Sequence, residues 1–165
     1  MAVGTLISVE EYLNTSYDPD VEYVDGVLVE RNVGDPQHSS VQSNLIFELR
    51  RKNPRIKVLP EVRSRTTETR YRLPDVSVTF SVPRSKAIAD PAFLAIEILS
   101  EEDRMSRLLE KLHEYAAKGI ANIWVIDPRL QRLFVYEDSA LREVHGVIAT
   151  GDPRLELTRE EIFQE

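Results

Sequence analysis

The chain has 165 residues and a formal net charge of −7 at pH 7, with 42% hydrophobic and 30% charged residues, a balance typical of one globular domain. No apolar run approaches the ~20 residues of a membrane-spanning helix, which argues against a protein with helical spans. The absence of cysteine and the presence of only three scattered histidines exclude disulfides, thiolate catalysis and a structural zinc cage, so any metal would be a hard cation bound by oxygen.

The start of the sequence, MAVGTLISVEEYL, has neither the basic region nor the long apolar region of a signal peptide. No internal repeat, low-complexity tract or linker interrupts the chain. We therefore expect a single domain over residues 1–165 and a cytoplasmic location.

Three elements are predicted in the first third of the chain. A serine followed by two glutamates indicates a short helix at about residues 8–14. The segment VEYVDGVLVE predicts a hairpin, because the pair Asp25-Gly26 suits the positive φ angles of a tight turn. Between Pro36 and Lys52, apolar residues recur at helical spacing, which predicts a helix packed on the core.

From residue 57 the apolar period becomes two, which predicts three strands in KVLPEVRSRT, RYRLPDVSVTF and AFLAIEILS. The segment DRMSRLLEKLHEYAAKGI predicts a helix with Asp103 as its N-cap and Gly119 as its stop. NIWVID follows as a buried strand, RLFVYE and LREVHGV as further strands, and LTREEIF as a short helix. The order α-β-β-β-α-β, with its core at about residues 36–127, indicates an α/β class, or more exactly α+β, with a mixed sheet flanked by helices.

Two carboxylates stand out on the predicted strands. Glu97 lies in the middle of an apolar strand, on the same face as the small Ala95, and Asp75 follows Pro74 near the start of the strand before it. A lone buried carboxylate costs several kcal/mol unless it is paired, protonated or bound to a metal. The alternatives are that Asp75 finishes a turn and that Glu97 forms a buried salt bridge with an arginine.

If the two strands are neighbours, Asp75 and Glu97 converge on one divalent cation, since Mg²⁺ or Mn²⁺ takes one or two carboxylates, a carbonyl and waters. Glu61 and the carbonyl of Ile98 are further candidate ligands. A lysine near such a metal stabilises charge that develops on a phosphate. Lys111 is the candidate, although the helical pattern alone favours a lysine on a solvated face.

The positive charge is concentrated in one segment. Residues 50–72 contain nine Lys or Arg and two Glu, a net +7 that leaves −14 elsewhere. The segment is either an ordinary solvated surface or a surface that faces phosphates. The candidate nucleic-acid contacts are Arg50, Arg51, Lys52, Arg63, Arg65, Arg70 and Arg72.

The motifs YRLPDVSV, AIEILS, EKLHEYAAKGI and IWVIDP, in this order, resemble the PD-(D/E)XK superfamily of the restriction-endonuclease-like fold. More closely, they resemble a large bacterial family of predicted restriction endonucleases with that fold. The similarity extends over about residues 20–137. It implies a restriction-endonuclease-like core with an added N-terminal helix and hairpin and additional C-terminal strands.

The resemblance also implies roles for individual residues. Asp75 and Glu97 match the metal carboxylates of the superfamily, whose lysine usually lies two residues after the acid, where this chain has Leu99. In the closer family the lysine is displaced onto the following helix, at the position of Lys111. Glu61 matches a position that is frequently acidic. Glu22 and His38 match positions that are often acidic or histidine, although a histidine such as His38 more commonly caps or packs.

The first hypothesis for function is a Mg²⁺- or Mn²⁺-dependent endonuclease that hydrolyses DNA, with Asp75, Glu97 and Lys111 as catalytic residues. DNA would be its substrate, and a homodimer is expected because two sites cut both strands of a duplex most easily. The second hypothesis is an inactive nuclease fold that serves as a nucleic-acid-binding or protein-interaction module. A third is that the carboxylates form a structural ion pair in a protein that only assembles with a partner.

Overall fold

The computed structural model describes residues 5–32 and 34–165. These residues form four helices and twelve strands. In chain order they are α1 (Val9–Asn14), β1 (Glu22–Val24), β2 (Val27–Val29), α2 (Pro36–Lys52), β3 (Lys57–Pro60), β4 (Ser64–Thr67), β5 (Arg70–Arg72), β6 (Val76–Thr79), β7 (Leu94–Ile98), α3 (Met105–Lys118), β8 (Asn122–Asp127), β9 (Arg132–Glu137), β10 (Ala140–Val144), β11 (Val147–Ala149), β12 (Glu156–Thr158) and α4 (Arg159–Phe163).

Local signals in the sequence produce the N-terminal elements as predicted. The Ser8 side chain accepts a hydrogen bond of 3.0 Å from the amide of Glu11 and so caps α1. Asp25 and Gly26 both have positive φ angles, 51° and 93°, and they connect β1 to β2 in an antiparallel hairpin. Helix α2 has the predicted bounds, with Asp35 as its N-cap.

The central sheet has six strands in the order β10-β9-β8-β7-β6-β3. Strands β7 and β8 are parallel and are joined through α3, whereas the other neighbouring pairs are antiparallel. This is the predicted mixed sheet, and α2, β3, β6, β7, α3 and β8 follow the expected α-β-β-β-α-β order. A second sheet has the order β2-β1-β5-β4, and β11 pairs with β12.

Two of the three predicted long strands are each divided between the two larger sheets. KVLPEVRSRT forms β3 in the six-stranded sheet and β4 in the four-stranded sheet, and the chain turns at Glu61, whose φ is +50°. RYRLPDVSVTF likewise forms β5 and β6, and it divides at Pro74, which has no amide hydrogen for a ladder. LREVHGV also divides, into β10 and β11, at Gly146 with φ 78°.

The two long helices pack on opposite faces of the six-stranded sheet. On one face, Val41, Leu45 and Leu49 of α2 join a buried cluster with Leu94 and Ile96 of β7. On the opposite face, a cluster forms around Ala95, with Leu108, Leu112 and Tyr115 of α3. The alternation predicted for β7 is therefore correct, and it places Glu97 on the α3 side.

The N-cap predicted for α3 is wrong by one residue. Arg104 occupies the N-cap, and its side chain makes no capping hydrogen bond. The Asp103 carboxylate instead accepts from the amide of Ser100, at 2.7 Å, and from Asn32. The other end of α3 is as predicted, because Gly119 adopts the left-handed conformation with φ 99°.

None of the helices in residues 5–32 and 34–165 is both long enough and apolar enough to cross a membrane.

Candidate active site

Asp75 and Glu97 meet at the end of two neighbouring strands. Strand β6 pairs with β7 in a register that places Val76 opposite Ile96, so the next position places Asp75 opposite Glu97. Side chains at opposite positions of antiparallel strands have Cβ atoms about 4.5–5.5 Å apart. Both residues are buried, and both line one cleft.

Asp75 is surrounded by hydrogen-bond donors. Its Oδ2 accepts from the amide of Ile98 at 2.7 Å, and its Oδ1 lies 3.0 Å from Arg31 Nη2 and 3.2 Å from His38 Nε2. Burial by itself raises the pKa of Asp75, but His38, Arg31 and the Ile98 amide outweigh it and hold that pKa below its ordinary value. The backbone carbonyl of Asp75 accepts a further hydrogen bond of 2.9 Å from Gln42.

Glu97 has the opposite balance of charge. Lys111 Nζ lies 2.9 Å from its Oε2, and the Tyr115 hydroxyl donates to its Oε1 at 2.5 Å. Burial is the largest influence and raises the pKa of Glu97 to about 7, with Asp75 and Glu22 adding to the rise and Lys111 opposing it. Glu97 is therefore more easily protonated than Asp75, although both are buried.

Lys111 does not face solvent, although its helical pattern alone favours a solvated position. Its side chain is 17% exposed, and Nζ lies 2.9 Å from Glu97 and 3.2 Å from Glu22. Burial disfavours the ammonium, but Glu97 and Glu22 outweigh it and raise the pKa of Lys111. The lysine is thus held protonated at the centre of the site. Glu22 is fixed in turn by Arg72 and by the amide of Leu73, each at 3.1 Å.

Glu61 does not join the two buried carboxylates. It follows β3 rather than lying within a strand, its side chain is 51% exposed, and Arg31 lies between it and Asp75. Within residues 5–32 and 34–165, no group of three or more His, Asp or Glu side chains is arranged to hold a metal ion. The expected set of three carboxylates is therefore not assembled in the structure.

His38 lies in the first turn of α2, and its Nε2 is 3.2 Å from Asp75 Oδ1. Burial lowers its pKa, but the hydrogen bond and the charge of Asp75 outweigh burial and give a net rise. Sequence reasoning missed Arg31, Gln42 and the hydrogen bond of Tyr115 to Glu97. The position of Tyr115, four residues after Lys111 on the same helix face, could have indicated that it contacts the site, whereas nothing in the sequence marked Arg31.

Most of the residues expected to contact nucleic acid in the segment 50–72 are paired within the protein. Arg63 is buried against Asp20 and the carbonyls of Tyr12 and Thr15, and Arg72 is buried between Glu22 and Glu114, so these two do not form part of a phosphate-facing surface. Arg51, Lys52 and Arg70 are also bound to carboxylates, which are Glu48, Asp25, Glu110, Glu114 and Glu161. Among the described residues, Arg50 and Arg65 have no ion-pair partner.

The cleft above the two carboxylates opens to solvent beside the start of α3. Its floor is formed by Asp75, Glu97 and Lys111, and its rim includes Asn32, Arg104 and Arg107. The cleft thus brings together the two carboxylates and the lysine that the resemblance implied, which is the arrangement expected of a nuclease.

The particular family follows from the sequence, which matches Uma2, described as "Putative restriction endonuclease", over residues 9–164. The chain belongs to this family.

A solved structure supports the same fold. A crystal structure described as a putative nuclease belonging to DUF820, from Anabaena variabilis, superposes with a TM-score of 0.80 at 21% sequence identity. The superposition covers 95% of this chain and 97% of that one. No curated protein matches the sequence. The restriction-endonuclease-like fold inferred from the motifs is thus confirmed.

Proposed function

We propose that the protein is a divalent-metal-dependent endonuclease that hydrolyses phosphodiester bonds of DNA. The observation that carries the proposal is that Asp75 and Glu97 line one cleft at the end of β6 and β7, with Lys111 bound to Glu97. Family membership supports a nuclease, and the site supports the dependence on metal.

The donor set fits Mg²⁺ or Mn²⁺. Asp75 and Glu97 supply carboxylate oxygens and Ile98 supplies a backbone carbonyl, which is the hard oxygen set that these cations prefer. Burial is the main cause of the raised pKa of Glu97, and the charges of Asp75 and Glu22 raise it further, which a bound cation would oppose. When bound, the cation would activate a water and polarise the scissile phosphate.

The protein's own residues prepare the site for this chemistry. The hydrogen bond from Tyr115 orients Glu97, and those from Gln42 and the Ile98 amide fix Asp75. Because Lys111 remains protonated, it acts as a fixed positive charge for the developing phosphate charge rather than as a base.

The test is nicking of supercoiled plasmid, single-stranded DNA and branched DNA with Mg²⁺, Mn²⁺ or EDTA. We expect wild-type protein to cut only with metal, and Asp75→Ala and Glu97→Ala to lose cleavage while remaining folded by circular dichroism. Asp90→Asn, an exposed carboxylate away from the cleft, is the control and should cut normally. Wild-type rates in either site variant would contradict the site.

A second candidate function is an inactive nuclease fold that binds nucleic acid or protein. It is favoured by one observation, that Arg31 and Lys111 already neutralise the two carboxylates without metal. Salt-dependent DNA binding with no cleavage of any of these substrates would support this candidate over the first.

We further propose that the protein acts as a homodimer, because two sites are needed to cut both strands of a duplex in one encounter. Sedimentation equilibrium should give twice the chain mass of 18.9 kDa. A single species at the monomer mass over the concentrations used for cleavage would contradict this.

A further inference from the structure

The first turn of α3 carries positive charge to the rim of the cleft. Arg104 and Arg107 are exposed and line the same cleft as Asp75 and Glu97. Within the part of the chain that the structure describes, neither has an ion-pair partner. They differ in this from Arg63, Arg70 and Arg72, whose guanidinium groups are engaged internally.

Helical spacing aligns Arg107 with the site. Arg107 and Lys111 are four residues apart on α3, so they lie on one face with Cβ atoms about 5–6 Å apart. Arg104, at the N-cap, lines the same cleft. Lys111 at the deep end contacts Glu97, and the two arginines lie further out, toward solvent. The buried Leu108 holds this turn against the sheet.

The acidic residues nearby are only partly engaged within the protein. The Asp103 carboxylate keeps its negative charge, because its hydrogen-bond partners, Asn32 and the Ser100 amide, are neutral. Glu110 is paired with Arg70, whereas Glu102 is exposed on the rim and, among the described residues, has no ion-pair partner. The rim therefore carries two guanidinium groups and two carboxylates, and only the guanidinium groups attract a phosphate.

We propose that Arg104 and Arg107 bind the phosphate backbone of the nucleic-acid substrate as it enters the cleft. Guanidinium groups suit this role because they donate paired hydrogen bonds to phosphate oxygens and remain charged at all relevant pH values. This proposal rests on the proposed nuclease function. It moves the substrate surface from the segment 50–72 to the start of α3.

The test compares binding of a fluorescent DNA oligonucleotide by three proteins in an Asp75→Asn background, which prevents cleavage. These are the parent, Arg104→Ala/Arg107→Ala, and the matched control Arg50→Ala/Arg55→Ala, which removes two exposed arginines of the segment 50–72. We expect the rim variant to bind at least about tenfold more weakly. Its salt slope should fall by about 1.4 on single strands and about 1.8 on duplex, the value for two phosphate contacts.

Two more variants test whether the charge of the rim determines DNA binding. Arg104→Lys/Arg107→Lys should keep most of the salt slope because the charge is retained, and Glu102→Gln should tighten binding. Equal melting temperatures for all variants would show that folding is unaffected, as expected for exposed side chains.

The outcomes separate this inference from the proposed function. Cleavage by wild-type protein together with unchanged binding by the rim variant, or an equal loss in the Arg50/Arg55 control, would overturn the inference and leave the nuclease intact. Wild-type protein that neither cuts nor binds DNA would overturn both.

Discussion

Asp75 and Glu97 are both buried carboxylates at opposite positions of one strand pair, yet their pKa values move in opposite directions. Asp75 shares its oxygens among Arg31, His38 and an amide, so its ionised form is stabilised. Burial disfavours the ionised form of Glu97, and Lys111, which Glu97 shares with Glu22, does not outweigh burial and the charge of Asp75. Partner geometry, rather than burial, distinguishes the two residues.

Arg31 is bound to the Asp75 oxygen that the proposed metal ion would need. Its Nη2 lies 3.0 Å from Oδ1, while Oδ2 is bound by the Ile98 amide. We expect Arg31→Gln to tighten Mn²⁺ binding about tenfold, or ~1.4 kcal/mol, because a competing cation is removed. Isothermal titration calorimetry measures this, with Arg84→Gln, an exposed arginine elsewhere, as the control. Unchanged or weaker binding in Arg31→Gln would show that the arginine does not compete with metal.

At the scale of elements, α3 connects the two larger sheets. Its Leu108 and Leu112 pack on the six-stranded sheet, while Glu114 accepts from Thr66 of β4 at 2.9 Å and from Arg72 of β5 at 2.6 Å. Arg70 adds a further ion pair of 2.7 Å to Glu114. Arg70 and Arg72, which were predicted from the sequence to contact DNA, thus hold α3 in the position that places Lys111 beside Glu97.

This connection predicts a dependence of stability on acid. Burial raises the pKa of Glu114, but Arg72 and Arg70 outweigh it, so the pKa of the folded protein is below the ordinary value. Stabilisation by Glu114 is therefore complete above the ordinary carboxyl range and is lost as pH falls through the folded pKa. We expect Glu114→Gln to lower the free energy of unfolding by about 3 kcal/mol at neutral pH and by less in acid.

Urea unfolding of both proteins over a range of pH measures this difference. The control is Glu137→Gln, which breaks an exposed pair with Arg142 and should cost less than about 1 kcal/mol. A loss in Glu114→Gln that stayed constant down to strongly acidic pH would show that the ion pairs are not its cause.

For the molecule as a whole, the site lies where the two larger sheets meet α2 and α3. Asp75 directly precedes β6, Glu97 lies on β7, and Lys111 and His38 come from α3 and α2. Glu22 comes from β1 in the other sheet, which is anchored by its own cluster of Tyr12, Tyr23 and Tyr71. Metal binding should therefore stabilise the assembled fold rather than one element.

Thermal unfolding with increasing Mn²⁺ tests this. A ligand that binds only the folded state at a hundred times its dissociation constant adds about 2.7 kcal/mol to the free energy of unfolding. We expect the melting temperature of wild-type protein to rise accordingly and that of Asp75→Asn to stay unchanged. A wild-type melting temperature that does not respond to Mn²⁺ or Mg²⁺ would favour the structural ion pair over the metal site.

Elements whose signals are local could be predicted from the sequence alone. Capping by Ser8, the Asp25-Gly26 turn, the helical period of α2 and the stop at Gly119 depend on residues a few positions apart. The order of helices and strands and the alternation of side chains on β7 were likewise predictable from the sequence. Together with the motifs, they identified the fold and the candidate carboxylates.

The pairing of charged side chains, in contrast, depends on tertiary packing. The division of two strands between sheets depends on a turn at Glu61 and on Pro74, and it carries Arg63 and Arg72 into buried pairs with distant carboxylates. Arg31 meets Asp75 across forty-four positions of sequence. A charged residue has the same letter whether it faces solvent, a phosphate or a buried carboxylate, so its partner is set by the packing of elements that lie far apart in the chain.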